Sequence, residues 1–189
     1  MKKRVPAIIF AALLLTGCRG GESSGSETVP ADGITMHADE SVSDEYTEAV
    51  KTYFTAIEQS DFAAYAAMMH PVYSEAFGEY LRQKGSSLEE NFAAQHKRFD
   101  EDGYDSWRIT DISLTKHTDP DYDYFFKQFV NAGILTDAQA QSVRDGAEAL
   151  EDLKFSVDVL YAGDDAPVTA VTNMELVLFK TADGIKLFG

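Results

Sequence analysis

Two acidic residues could act as catalytic carboxylates. Asp111 lies where the period-two alternation of apolar residues slips, and a slip of this kind often re-aims a side chain towards a site. Glu175 lies on a strand face that Val177 and Phe179 make partly apolar. A carboxylate in an apolar pocket has a raised pKa and can act as a general base beside a proton donor. The candidate donors are Tyr53, Tyr65 and Tyr73. Because most such acids are solvated or paired with a cation, Asp111 and Glu175 are weak candidates.

The histidines and clustered aspartates form no complete metal-binding motif. The four histidines are scattered: His37, His70, His96 and His117. They contain no His-x-x-x-His pair and have no second cysteine nearby, so zinc spacing is lacking. Asp119, Asp121 and Asp123 alternate like the start of a calcium loop, but its glycine and distal glutamate are missing. We expect no metal ion and no cofactor, and an acidic helix entrance is favoured at these aspartates. The sequence leaves open whether they bind an ion.

Aromatic and methionine side chains could line a pocket for a small apolar ligand. The residues predicted to bind such a ligand are Tyr53, Tyr65, Met69, Tyr73, Trp107 and Met174. The alternative, which is the more common outcome for such residues, is that they fill the hydrophobic core. A second aromatic group could cover a partner surface or pack against the helix that follows it. Its members are Tyr122, Tyr124, Phe125, Phe126 and Phe129.

The N-terminus has the three-part layout of a secretory signal. Basic residues precede an apolar run from Val5 to Leu15, which is much shorter than the roughly 20 residues of a membrane-spanning helix. Leu15-Thr16-Gly17-Cys18 resembles the lipobox of bacterial lipoproteins, in which the cysteine carries diacylglycerol and becomes the mature N-terminus. The resemblance implies a lipoprotein signal peptide over 1–17, lipidation of Cys18, and a position on the extracytoplasmic face of a cell membrane.

The charge excludes some classes of partner. The chain of 189 residues has a formal charge of −16. Removal of the signal would make it −19, because 13 basic residues would then face 32 acidic ones. A strongly acidic protein is repelled by phosphate backbones, so we expect no nucleic-acid partner. With a single cysteine, an internal disulfide is excluded as well.

The remaining residues predict a stalk and one α+β domain. Residues 18–40 are rich in glycine and serine and poor in large apolar residues, which is typical of a flexible, here lipidated, stalk. Residues 41–189 place helices first and alternating strands later, which favours N-terminal helices packed on a curved antiparallel sheet, with an inserted helical pair. The helix signals are Ser41 or Ser43, Asp61, the segment 74–84, Ser87, the segment 122–130, and Thr136. The predicted strands begin at Trp107, Phe155, Val168 and Ile185, with a bulge near Asp111 and a hairpin at Asp183-Gly184.

Two segments of this domain resemble nuclear transport factor two-like domains. One is the helix from Tyr46 to Glu58 followed by Ser60-Asp61-Phe62, and the other is the final hairpin from Val177 to Lys186. The resemblance implies a sheet rolled around helices into a cone with an apolar pocket. Some members, such as the ketosteroid-isomerase relatives, use that pocket for catalysis, and many others bind or assemble. The helical pair at about 121–152 departs from the pattern, as does the short final strand.

These observations favour a non-catalytic function. We expect a lipid-anchored binding or interaction module of the bacterial cell envelope, attached to the membrane through Cys18. Its ligand would be a small apolar molecule or an envelope protein, and a homodimer through the sheet is also open. The alternative is an enzyme that uses general acid/base chemistry in the cone pocket.

Overall fold

The computed structural model describes residues 33–188. The signal peptide, Cys18 and most of the predicted stalk lie outside the described residues. Within them the fold is α+β, with six α-helices and one five-stranded sheet that is not closed into a barrel. The helices are α1 (Asp44–Glu58), α2 (Phe62–Met68), α3 (Pro71–Gln83), α4 (Leu88–His96), α5 (Tyr122–Asn131) and α6 (Asp137–Gly146). The strands are β1 (Thr35–Ala38), β2 (Trp107–Lys116), β3 (Ala149–Tyr161), β4 (Val168–Thr181) and β5 (Gly184–Leu187).

The sheet is mixed, whereas the sequence predicted an antiparallel one. The strands lie in chain order, and β1 pairs parallel to β2 while the other pairs are antiparallel. The strand β1 occupies residues that were predicted as stalk. It is short and largely exposed, so its side chains carry no alternating pattern. Main-chain pairing with β2 and the burial of Ile34 and Val42 on either side hold it on the sheet.

The beginning of β3 also differs from the prediction. The apolar residues Ala147 and Leu150 continue the helical spacing of α6, yet α6 ends at Gly146 and β3 begins at Ala149. Pairing of Ala149 with Lys180 on β4 extends the strand, so tertiary pairing overrides local pattern here. As a consequence, Asp152 lies on a strand in the interior of the sheet.

Several local signals are confirmed. Ser87 and Thr136 both form reciprocal capping boxes at the starts of α4 and α6. The register of β2 shifts between Ile109 and Asp111, at the predicted bulge. Gly184 has a φ of +97° in the β4–β5 hairpin, a conformation that glycine adopts without steric cost. The helix predicted to begin at Ser74 begins earlier, with Pro71 in its first turn, where a missing N–H costs nothing.

Helices contact both faces of the sheet. Phe54 of α1 packs against Phe155, with ring centroids 5.2 Å apart. Phe155 is paired with Met174 on β4, so Phe179, five residues further along β4, has its side chain on the other face of the sheet. Phe179 contacts Phe125 and Phe126 of α5. The inserted helical pair therefore covers a face that α1 leaves free. Its N-terminus lies beside the functional residues described below.

Candidate functional site

Three strands bring together a histidine and two carboxylates. His117 follows the last residue of β2 and donates its backbone N–H to the carbonyl of Asp152 on β3, at 2.9 Å. Asp152 is opposite Val177 on β4, and Glu175 is two residues away on the same face. The order of the three strands and their register thus place side chains that are distant in the sequence on one patch of the sheet.

The contacts within this cluster are short. The Nδ1 atom of His117 lies 2.8 Å from Oδ2 of Asp152 and 3.7 Å from Oε1 of Glu175. One donor atom from each residue lies within 4.8 Å of the others. Exposure increases across the cluster, from 7% for the Asp152 side chain to 20% for His117 and 57% for Glu175. The cluster therefore has a buried end at Asp152 and a solvent-facing end at Glu175.

Asp152 is a buried carboxylate with incomplete hydrogen bonding. Burial raises its pKa, the hydrogen bond with His117 lowers it, and the negative charge of Glu175 raises it again. The net effect is a pKa above the usual value for aspartate. Its second oxygen, Oδ1, is buried and has no hydrogen-bond partner among residues 33–188. An acceptor in this state is rare in folded proteins and calls for an explanation.

The first turn of α5 flanks the buried end of the cluster. The hydroxyl of Tyr122 donates to the carbonyl oxygen of Leu150 at 3.1 Å. Burial, followed by the negative charges of Asp152 and Glu151, raises the pKa of Tyr122 to about 12. Tyr122 is therefore a neutral neighbour of Asp152.

The two predicted acids lie in different surroundings. Asp111 is partly exposed at the β2 bulge and accepts a hydrogen bond from Nε2 of His37 at 2.9 Å. That hydrogen bond, with a further one from Thr110, lowers the pKa of Asp111. Glu175 belongs to the histidine cluster but is more than half exposed. Neither acid has the buried, unpaired state that a general base in an apolar pocket requires.

Two of the predicted donor tyrosines are linked through a neutral amide. The hydroxyl of Tyr53 donates to Oε1 of Gln95 at 3.1 Å, and Nε2 of Gln95 donates to the hydroxyl oxygen of Tyr65 at 2.9 Å. Burial raises the pKa of both tyrosines, to about 12 for Tyr65. These hydroxyls are thus held in the core by Gln95 of α4.

The residues predicted to bind an apolar ligand occupy two kinds of position. Tyr53, Tyr65, Met69 and Tyr73 belong to the core and are at most 9% exposed. Trp107 is half-buried, with Nε1 donating to Asp100 at 2.9 Å, and Met174 is opposite Phe155 in the sheet. Ligand binding by these six residues stays a prediction.

Two surface grooves have other linings. One, of about 340 Å³, lies between α3 and the α5–α6 pair and is lined by residues that include Glu75, Glu79 and Arg82. The other, of about 220 Å³, lies along α1 and is lined by residues that include Glu48, Lys51 and Asp61. None of the six predicted ligand residues lines either groove.

The second aromatic group mostly packs inside the protein. Phe125, Phe126 and Phe129 contact the ring of Phe188, with centroids between 5.0 and 6.0 Å apart. Tyr124 differs, since it is 62% exposed. The three phenylalanines therefore pack against the C-terminal end of the chain, which differs from the predicted packing against the following helix, and Tyr124 is left at the surface.

Two of the three alternating aspartates, Asp121 and Asp123, serve the α5 helix. Asp121 caps it by accepting a hydrogen bond from the backbone N–H of Tyr124 at 2.8 Å. Asp123 pairs with Arg144 of α6, whose guanidinium also lies over the ring of Phe126. These roles agree with an acidic helix entrance.

Glu175 was predicted from the sequence, but its association with His117 and Asp152 was not. Spacing rules for metal ligands apply within one helix or loop, whereas these residues lie on β3 and β4 and directly after β2. Asp152 was also overlooked, because the residues before it were predicted to be helical. A usable signal was the polar pair Glu151-Asp152 at the head of an alternating apolar strand.

Within residues 33–188, no helix combines the length and the apolar character needed to cross a membrane. Comparisons with protein-family models, with curated proteins and with solved structures find no significant match.

Proposed function

We propose that the protein is a non-catalytic binding module of the bacterial cell envelope, anchored by lipid on Cys18 at the extracytoplasmic face. We propose further that its body has the cone-shaped nuclear transport factor two-like arrangement. The support for the anchor is the placement of the only cysteine directly after a short apolar run and Leu15-Thr16-Gly17. The support for the cone is the order of elements, with a long first helix on the sheet and a final hairpin.

One observation carries the non-catalytic assignment. The tyrosines predicted as proton donors are core residues, and Gln95 rather than a carboxylate bonds to Tyr53 and Tyr65. Asp111 is paired with Asp158 on β3. Asp158 is three residues from Phe155, which contacts α1, so Asp158 and Phe155 are on opposite faces of the sheet. Asp111 is thus on the opposite side of the sheet from Tyr53 and Tyr65, and proton transfer between them lacks the required geometry.

The same packing favours an envelope protein over a small apolar molecule as the ligand. Aromatic rings fill the interior. The ring centroids of Tyr65 and Phe92 are 4.6 Å apart, and Tyr73 is stacked on Phe188 with centroids 4.2 Å apart. The two grooves are lined by charged and polar side chains as well as apolar ones. A partner of the size of a protein would bind on such a surface without needing an interior cavity.

Replacing Cys18 with alanine tests the anchor. The variant should move from the membrane fraction to the soluble fraction, because each buried methylene of an acyl chain contributes about 0.8 kcal/mol to membrane binding. The matched control is Ser23→Ala in the same segment, which should stay with the membrane. Membrane fractionation of Cys18→Ala that equals the control would contradict the anchor.

Native mass spectrometry tests the class of ligand. The protein released gently from its own envelope should show the mass of the lipidated chain without a bound organic molecule. A stoichiometric organic adduct of low mass that disappears on unfolding would overturn the choice of a protein partner.

A further inference from the structure

We propose that His117, Asp152 and Glu175 bind a divalent transition-metal ion, and that Zn²⁺ is the ion that fits this set best. The site lies on the sheet at the N-terminal end of α5. It shares no residue with the lipid anchor or with the two surface grooves.

The donor atoms of the three residues converge. One imidazole nitrogen and two carboxylate oxygens lie within 4.8 Å of one another. Ligands around a zinc ion are held at about 2.0–2.2 Å from the metal, so small side-chain rotations bring these three atoms into range. Glu175 can supply most of that movement because its side chain is 57% exposed. His117 and Asp152, by contrast, are already held by the backbone pairing of β2 and β3.

Asp152 is in a state that a bound cation would stabilise. It is 6% exposed, one of its oxygens contacts His117, and the other is buried without a hydrogen-bond partner among the described residues. A buried carboxylate oxygen in this state is costly unless a cation or a donor compensates it. A bound cation would satisfy Asp152 and would also reduce the repulsion between Asp152 and Glu175.

The donors are of the chemical types that zinc binds. Zinc accepts imidazole nitrogen together with carboxylate oxygen, whereas calcium and magnesium require more ligands and take oxygen. His117 ligates through Nδ1, which requires the imidazole tautomer that carries its hydrogen on Nε2. Three protein ligands would leave one tetrahedral position for water.

A second histidine–aspartate pair serves as an internal comparison. His37 and Asp111 are 2.9 Å apart, which resembles the His117–Asp152 contact. Both are more exposed, with 57% and 34% of the side chains accessible. Among residues 33–188, a third potential metal ligand lies close to the His117–Asp152 pair but not to the His37–Asp111 pair. A comparison of the two pairs therefore distinguishes a specific metal site from nonspecific binding to any histidine beside an acid.

The experiment titrates the full-length chain in detergent with Zn²⁺, and separately with Co²⁺ for its visible absorption. All proteins carry Cys18→Ala, which removes the only thiol. The test variants are Asp152→Asn and Glu175→Gln, and the matched control is Asp111→Asn. Circular dichroism and the metal-free unfolding midpoint show whether each variant is folded. Glu175→Gln keeps the test valid even if Asp152→Asn unfolds, because Glu175 is exposed.

We expect one Zn²⁺ per chain, a thermal midpoint that rises with Zn²⁺ concentration, and unchanged behaviour of Asp111→Asn. Each test variant should bind at least about 10-fold more weakly, because loss of even an outer hydrogen-bond partner typically costs 10- to 100-fold. Co²⁺ bound to the parent should show tetrahedral or five-coordinate absorption that both variants lose. Equal affinity in parent and Glu175→Gln, or binding of Ca²⁺ as tight as that of Zn²⁺, would overturn the proposal.

Discussion

Two buried polar side chains behave differently in the described part of the chain. Asp152 bonds to His117, whereas Nδ1 of His70 is buried without a hydrogen-bond partner among residues 33–188. The ring of His70 packs edge-on against Phe179 and Phe188. Its backbone N–H donates to the carbonyl oxygen of Leu187 at 2.8 Å, so this main-chain donor is hydrogen-bonded. The imidazole therefore contributes chiefly by packing as an aromatic ring in the core.

The pH dependence of stability should reveal this role. Burial, and after it the positive charge of Lys186, lowers the pKa of His70. As the pH falls below about 6.5, the unfolded chain gains the proton before the folded one, so the free energy of unfolding decreases. His70→Phe keeps an aromatic ring and should remove this loss.

Denaturant titrations of both proteins between pH 7.5 and pH 5 measure the difference. The stability of His70→Phe relative to the wild type should increase towards low pH. Parallel curves, or an ordinary pKa for His70 by NMR, would refute the assignment.

At the scale of elements, local signals predict well where local bonds decide the structure. The capping boxes at Ser87 and Thr136 and the hairpin glycine at Gly184 depend on neighbours within a few residues. β1 and the first residues of β3 depend on partners elsewhere in the chain, such as Lys180 for Ala149. No local pattern marks these segments, because the main-chain hydrogen bonds that form them are independent of side-chain type.

The caps provide a prediction for the helices. Ser87 accepts from the backbone N–H of Glu90 at 3.1 Å, whereas Ser43 makes no side-chain capping bond within the described residues. Ser87→Ala should lower the free energy of unfolding by about 1 kcal/mol. Ser43→Ala is the matched control and should change it by much less.

Chemical denaturation with a common m-value gives both changes. If Ser43→Ala destabilises as much as Ser87→Ala, the side-chain bond is not the source of the effect.

At the scale of the molecule, acidity is the dominant property. A formal charge of −16 on 189 residues creates self-repulsion that is stronger in the compact state than in the unfolded chain. A few local pairs offset it, such as Lys180 with Glu45 and Lys116 with Glu151. The same field attracts cations, which agrees with the metal site proposed above.

Screening should therefore stabilise the fold. Raising NaCl from 10 to 150 mM shortens the Debye length from about 30 to 8 Å, and the free energy of unfolding should increase. The increase should shrink at pH 5, where the net charge is smaller because the isoelectric point is about 4.5. A stability that falls with salt at pH 7.5 would mean that local ion pairs outweigh the general repulsion.

The sequence alone determined the α+β class, the bulge, the caps and the final hairpin, and it predicts the lipid anchor at Cys18. These features depend on periodicity and short motifs, which operate over a few residues. Only the tertiary structure decided that β1 joins the sheet in parallel, that α5 covers a second face, and that His117, Asp152 and Glu175 meet. Contacts between residues so distant in the sequence depend on strand order and register. A one-residue slip of a strand would turn its side chain in this cluster to the opposite face of the sheet.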